Sequence, residues 1–134
     1  MNLIHCRIMT PLGIYREFDT SILNIPTTDG MRGILPEHMP LVAMLKIGEM
    51  SAVEEGKRKV YAIAGALFYY KDNYAEILTD AIECQDEIDE QRAQKAKERA
   101  EKRLSSGDPN IDLKRAQEAL SRALVRLHVY GKYH

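Results

Sequence analysis

The chain has little of what cross-links, secretes or threads a protein. Of its 134 residues two are cysteines, Cys6 and Cys84. Nothing marks them as a metal or redox pair, so both are expected to be free thiols in a reducing compartment. The first 25 residues include Arg7, Arg16, Glu17 and Asp19 and lack the apolar core of a secretory signal. The most apolar uncharged run, Val60 to Tyr70, falls short of the about 20 residues that cross a bilayer. Membrane association is expected only through a partner. No Gly-rich phosphate loop leads into Lys-Ser or Lys-Thr, and no nucleophile stands with a base, so catalysis has no visible seat. His38 has no His, Cys or paired carboxylate at ligand spacing, which argues against a metal. Charge is nearly balanced, at 19 basic and 20 acidic side chains. Residues 85–134 carry a small basic surplus, 11 against 9, with no stacking pattern of aromatics, so nucleic acid is not the expected partner.

What the chain does have is a repeat. Ile88-Asp89-x-x-Arg92-Ala93-Gln94-x-Ala96-x-x-Arg99-Ala100-x-x-Arg103-Leu104 returns as Ile111-Asp112-x-x-Arg115-Ala116-Gln117-x-Ala119-x-x-Arg122-Ala123-x-x-Arg126-Leu127, ten identities at an offset of 23. Both copies are rich in helix formers, and Asp89 and Asp112 stand where an acid favours a helix start. Ser105-Ser106-Gly107-Asp108-Pro109-Asn110 between them reads as a stop and a restart. The pattern predicts an antiparallel two-helix hairpin over residues 85–134. The second helix has a leucine-bearing stripe, whereas the first offers mainly Ala93, Ala96, Ala100 and Leu104. Such small side chains allow close approach but bury little, at about 25 cal/mol per Å². The hairpin is therefore expected to be thinly held and able to move. With the turn centred between residues 107 and 108, Arg92, Arg122 and Arg126 converge at the open end. Two readings remain at this point, a solvated face with Asp-to-Arg pairs or an anion site.

Residues 1–84 read differently, as short alternating segments separated by turns in the manner of an all-β sandwich. Leu3 to Thr10, Ile14 to Phe18, Ile22 to Ile25, Leu41 to Leu45, Met50 to Val53, Lys57 to Ala64, Ala66 to Tyr70 and Tyr74 to Thr79 are the candidate strands. Lys71-Asp72-Asn73 predicts a hairpin turn, because Asp and Asn tolerate left-handed backbone. Between Pro26 and Leu41 the chain reads as a long irregular loop. Met31, Ile34, Leu35 and Met39 on it exceed what one small core can take, and two readings stand: a partner surface formed by them with His38, or structural turns alone.

These motifs together resemble the epsilon subunits of bacterial rotary ATP synthases. Asp29-Gly-Met-Arg-Gly-Ile-Leu-Pro-Glu-His-Met-Pro-Leu41, Thr10-Pro-Leu-Gly13, Ala62-Ile-Ala-Gly65 and Ile88-Asp-x-x-Arg-Ala93 occur in that family's order and cover essentially the whole chain. The resemblance implies a sandwich of about ten strands (1–84) that binds the gamma subunit and the c-ring, followed by the hairpin (85–134). It implies a non-catalytic coupling subunit on the cytoplasmic side of the bacterial membrane, whose extended hairpin meets the alpha/beta catalytic head and opposes ATP hydrolysis. Some members bind ATP as a regulatory ligand on the folded hairpin. Ile88, Asp89, Arg92 and Ala93 match that motif, and Glu83, Arg99, Arg122 and Arg126 match its other charged positions. The resemblance favours the anion-site reading and leaves Mg²⁺ open. Two alternatives predict other behaviour: a free-standing ATP-sensing module would make no complex with gamma, and a nucleic-acid-binding hairpin would show strongly salt-dependent affinity.

Overall fold

The computed structural model describes residues 2–133, the side chain of Tyr133 aside. Eight strands precede two helices: β1 (Ile4–Thr10), β2 (Gly13–Thr20), β3 (Leu23–Thr27), β4 (Gly30–Ile34), β5 (Leu41–Glu54), β6 (Lys57–Lys71), β7 (Tyr74–Thr79), β8 (Ile82–Cys84), α1 (Glu90–Ser105) and α2 (Leu113–Tyr133). The strands run in the order β2-β1-β7-β6-β5-β3-β4, with β8 also beside β6. β7 pairs with residues 66–71 of β6 and β8 with residues 61–63. The long β5–β6 ribbon therefore belongs to both layers of a sandwich-like sheet, and one core of Ile4, Ile8, Leu23, Ile25, Met50, Phe68, Tyr70 and Ile77 lies between them.

Each long strand changes its inward-facing parity part-way. Tyr61 and Ile63 enter the core from the first half of β6, but Ala66, Phe68 and Tyr70 from the second. The flip occurs at Gly65, whose φ of 95° lies in the left-handed region that favours glycine. β5 flips between Leu45 and Met50. A Cβ added at its Gly48 would sit 3.0 Å from Pro26 Cβ, tight against the neighbouring strand β3. Alternation breaks each of these strands in two: Leu41 to Leu45 and Met50 to Val53 are one strand, as are Lys57 to Ala64 and Ala66 to Tyr70.

The segment read as one irregular loop contains β4. Ile34 pairs with Leu23 and is fully buried. This corrects its place in the partner-surface reading: it closes the core at the end of an edge strand. Met31, Leu35 and Met39 are 62%, 56% and 75% exposed, and His38 is half-buried with its ring against Tyr70.

The hairpin starts on its aspartates. Asp89 caps α1, its side chain accepting from the Arg92 N–H at 3.1 Å, and Asp112 accepts from the Arg115 N–H at 3.1 Å. Ala93 and Ala100 of α1 are buried, as are their repeat equivalents Ala116 and Ala123 of α2. α2 rests on the outer face of β6, where Val129 joins Val60, Ala62 and Ile88, flanked by Val125 and Tyr130. α1 packs chiefly on α2 and stands off the sheet. No helix among the described residues is long and apolar enough to cross a membrane.

An Ala123→Leu chain should therefore lose amide-exchange protection in α1 while the sandwich keeps its own, because overpacking that contact costs about 1–3 kcal/mol. Unchanged protection in α1 would show that the alanine seam is not what holds it.

Candidate functional site

Glu83, Ala62 and Glu49 are cross-strand neighbours on β8, β6 and β5, and α2 crosses this row. Arg126 Nε donates to Glu83 Oε1 at 2.5 Å at one end. Lys132 Nζ lies 3.4 Å from Glu49 Oε2, and His128 Nε2 4.0 Å from Glu49 Oε1, at the other. Val129 covers the apolar middle. Docked this way, α2 holds α1 opposite the end of the sandwich, and a cleft of about 580 Å³ opens between them. Thr10, Pro11, Leu12 and Tyr15 form one wall, Asp80 to Glu83 the floor, and Asp89, Arg92, Ala93, Ala96 and Arg99 the other wall, with Arg126 reaching in from α2.

Six of the eight residues expected to hold ATP thus meet here: Glu83, Asp89, Arg92, Ala93, Arg99 and Arg126. Ile88 does not line the cleft; it is buried beneath α2 in the apolar patch and serves as packing. Arg122 lies one helical turn before Arg126 and faces an adjoining crevice with Ala62, Ala81 and Val125, so the expected convergence of three arginines is a pair with the third beside it. Arg115, the repeat equivalent of Arg92, is exposed near the start of α2 and away from the cleft. Among the described residues Arg92 and Arg99 form no ion pair, whereas Arg126 is engaged by Glu83.

Sequence reading missed the floor network. The Tyr15 hydroxyl bonds the Glu87 carboxylate, and the Cys84 N–H donates to Tyr15 Oη at 3.1 Å and Glu87 Oε1 at 2.9 Å. Burial, and then the bond to Glu87, raise the phenol above its ordinary pKa and keep it neutral. This ties the 85–89 connection to β2 and fixes where α1 begins. No local signal marks Tyr15, because its partners lie far along the chain. Cys6 and Cys84 are free and buried, and burial pushes the Cys6 thiol up to about 12.

Two family models divide the chain between them: the β-sandwich domain of ATP synthase delta/epsilon chains matches residues 3–85, and the long α-helix domain of the same chains matches residues 86–131. The chain belongs to the ATP synthase delta/epsilon family. Among epsilon-chain relatives, that of Halalkalibacterium halodurans is 39% identical over 133 residues, spanning 98% of this chain and 100% of its own. That of Caldicellulosiruptor bescii is 42% identical over 120 residues, 90% and 88% of the two chains. A chain of the Euglena gracilis mitochondrial ATP synthase, solved with OSCP, F1 and c-ring, superposes with a TM-score of 0.81 at 24% identity, covering 98% of this chain and 82% of that one. A central stalk/c-ring structure from Tetrahymena thermophila gives 0.58 at 15% identity, covering 97% and 95%. At those identities the likeness is one of fold.

A second surface of this epsilon-family chain also escaped the sequence reading. Met44, Leu67, Leu78, Met9 and Ile14 are successive cross-strand neighbours from β5 through β6, β7 and β1 to β2. All but the partly exposed Met9 are more than 40% accessible. Its one mark in the sequence is the apolar run Val60 to Tyr70, which contributes Leu67 to the row and leaves that stretch of β6 without a polar face.

The docking contact sets a testable order of effects. Arg126→Gln removes a partly exposed ion pair worth roughly 0.5–1 kcal/mol, while Val129→Ala opens a fully buried contact worth roughly 2 kcal/mol. Native-state proteolysis within the hairpin should accelerate more in Val129→Ala, and the reverse order would place the docking energy in the charges.

Proposed function

We propose that this chain is a non-catalytic, central-stalk epsilon subunit of a bacterial F-type ATP synthase, peripheral on the cytoplasmic side of the membrane. Its sandwich binds gamma and the c-ring through the apolar row, Met31 on β4, and the following loop bearing Leu35, His38 and Met39. Its hairpin, when released, reaches the alpha/beta head and opposes ATP hydrolysis, and ATP bound in the cleft keeps it docked. The observation that carries this reading is the cleft itself. It brings Arg92, Arg99 and Arg126 from two helices to Glu83 on the sandwich, and it exists only while α2 is docked.

Planar guanidinium forks suit phosphate oxygens, and the Glu83 carboxylate is an acceptor suited to an adenine amino group. Glu83 already engages Arg126, so a nucleotide entering here must share or replace that pair. Docking rests on a small patch of Val60, Ala62, Ile88 and Val129, which supports a modest resting bias. A ligand that binds only the docked form adds RT ln(1 + [L]/Kd), about 2.7 kcal/mol at a hundredfold excess over Kd. High ATP then favours the docked, permissive state, and depletion releases the arm.

Calorimetry on the isolated chain tests the site, with the repeat as its own control. Arg92→Ala and Arg126→Ala should each weaken ATP binding by roughly ten- to a hundredfold, the scale of a lost hydrogen bond to a charged group. Arg115→Ala should bind as the parent does. Equal losses at Arg92 and Arg115 would mean that diffuse charge, not a site, holds the nucleotide.

Assembly tests the other surface. A chain carrying Met31→Glu, Leu35→Glu and Met39→Glu should fold normally, since all three side chains are exposed, yet compete poorly for incorporation into the synthase. Equal incorporation in a mixed reconstitution would remove the loop from the interface.

A further inference from the structure

The loop Leu35 to Pro40 leaves two apolar side chains in solvent, yet it is tied down through a backbone N–H and a carboxylate of Glu37 and through the ring of His38. Glu37 has a φ of 69°, a left-handed conformation that a non-glycine residue holds at a cost of about 1–2 kcal/mol. Its backbone N–H donates to Asn73 Oδ1 at 2.7 Å, and its Oε1 accepts from Asn73 Nδ2 at 2.9 Å. The two bonds close a ring between one residue of the loop and one residue of the β6–β7 turn. Asn2 Nδ2 donates to the same carboxylate oxygen at 2.6 Å.

Asn73 is itself fixed. It and Asp72 occupy left-handed backbone in the two-residue turn, with φ of 61° and 50°. Its carbonyl accepts from the His5 N–H at 2.8 Å. Its Oδ1 also accepts from the hydroxyl of Tyr70 at 2.9 Å, and the ring of Tyr70 is buried in the core. The same ring meets the edge of His38, with centroids 5.8 Å apart at 87°. Between Leu35 and Met39 the chain is therefore held by the core through Tyr70 and Asn73, while Leu35 and Met39 themselves are left exposed. Fixing a loop so firmly without burying its apolar side chains lowers the ordering cost of binding something to them.

We infer that Asn73 and Glu37 form a clamp that presets the 35–40 loop for its partner, so that Leu35 and Met39 meet the rotor of gamma and c-ring already in their bound geometry. This rests on the partner-facing reading above. Asn73 and Glu37 act as positioning residues: their own polar groups are turned toward each other and toward Asn2 and Tyr70.

The test uses the full chain and a gamma–c-ring subcomplex prepared without it. Asn73→Gly removes the amide while keeping the left-handed turn accessible, and Glu37→Gly removes the carboxylate while relieving the left-handed strain. Each should weaken binding about tenfold, mainly through faster dissociation. Glu37→Gln retains an oxygen acceptor for both asparagine amides and should restore parental affinity. In the free chain, the His38 ring protons should lose the ring-current shift imposed by Tyr70 in the two glycine variants and keep it in Glu37→Gln. Parental affinity in Asn73→Gly, an unmoved His38 signal there, or a Glu37→Gln chain as weak as Glu37→Gly would each overturn the clamp. Should Asn73→Gly fail to fold, Glu37→Gly, altered at an exposed side chain, decides alone. A Met39→Glu chain separates the two ideas: unchanged affinity there overturns the partner assignment, whereas a loss there beside parental Asn73→Gly overturns only the clamp.

Discussion

The contact of α2 with the outer face of β6 is the interaction on which the placement of the whole hairpin depends. Val60 and Ala62 face outward from β6 because Tyr61 and Ile63 face inward, and Val129 with Ile88 covers them. α1 has little hold on the sheet of its own; its alanines lie against the alanines of α2. Release of α2 therefore releases both helices at once and dissolves the cleft between α1 and the β1–β2 turn. The patch is small, and the charged contacts at its ends are partly exposed and so screened. On the function proposed above, a contact of this size suits a joint that opens, and a ligand bridging α1, α2 and β8 would bias it.

The sandwich is built the opposite way. Its core is continuous through the β5–β6 ribbon, which crosses between layers and leaves no separable half. Stability concentrated there frees the outer faces for other work. One face is covered by α2, one carries an apolar row across five strands, and one end presents Leu35 and Met39 on a loop anchored to the core. Rigid platform and loosely held arm are thus built on different terms, one on a continuous buried core and the other on a small apolar patch.

Much of this was legible in the residues. The hairpin followed from helix formers, capping aspartates and a repeat, all of which act within a few residues. The β character of residues 1–84 and the turn at Asp72-Asn73 followed from alternation and from the left-handed tolerance of Asp and Asn. The continuity of β5 and of β6, the existence of β4 and the burial of Ile34 did not follow. Alternation assumes that a strand keeps one face inward, and Gly65 and the Lys46–Gly48 segment break that assumption. A short edge strand rich in Gly has too few side chains to show a period at all.

Sequence by itself determined that Arg92 and Arg115 are alike: each sits three residues after the aspartate of an Ile-Asp pair and just before Ala-Gln, and in the structure each N–H makes the same 3.1 Å cap bond to its aspartate. Only the tertiary structure made them different. The turn at Gly107 reverses the second copy, so Arg92 lies at the cleft and Arg115 at the far end. The same reversal and the seating of Val129 on β6 decide that Arg126 reaches Glu83 while Arg122 stays beside it, and that Ile88 is buried in place of lining a site. Capping and helix propensity are fixed by covalent neighbours, but which face of a helix meets which strand is settled by packing between residues far apart in the chain.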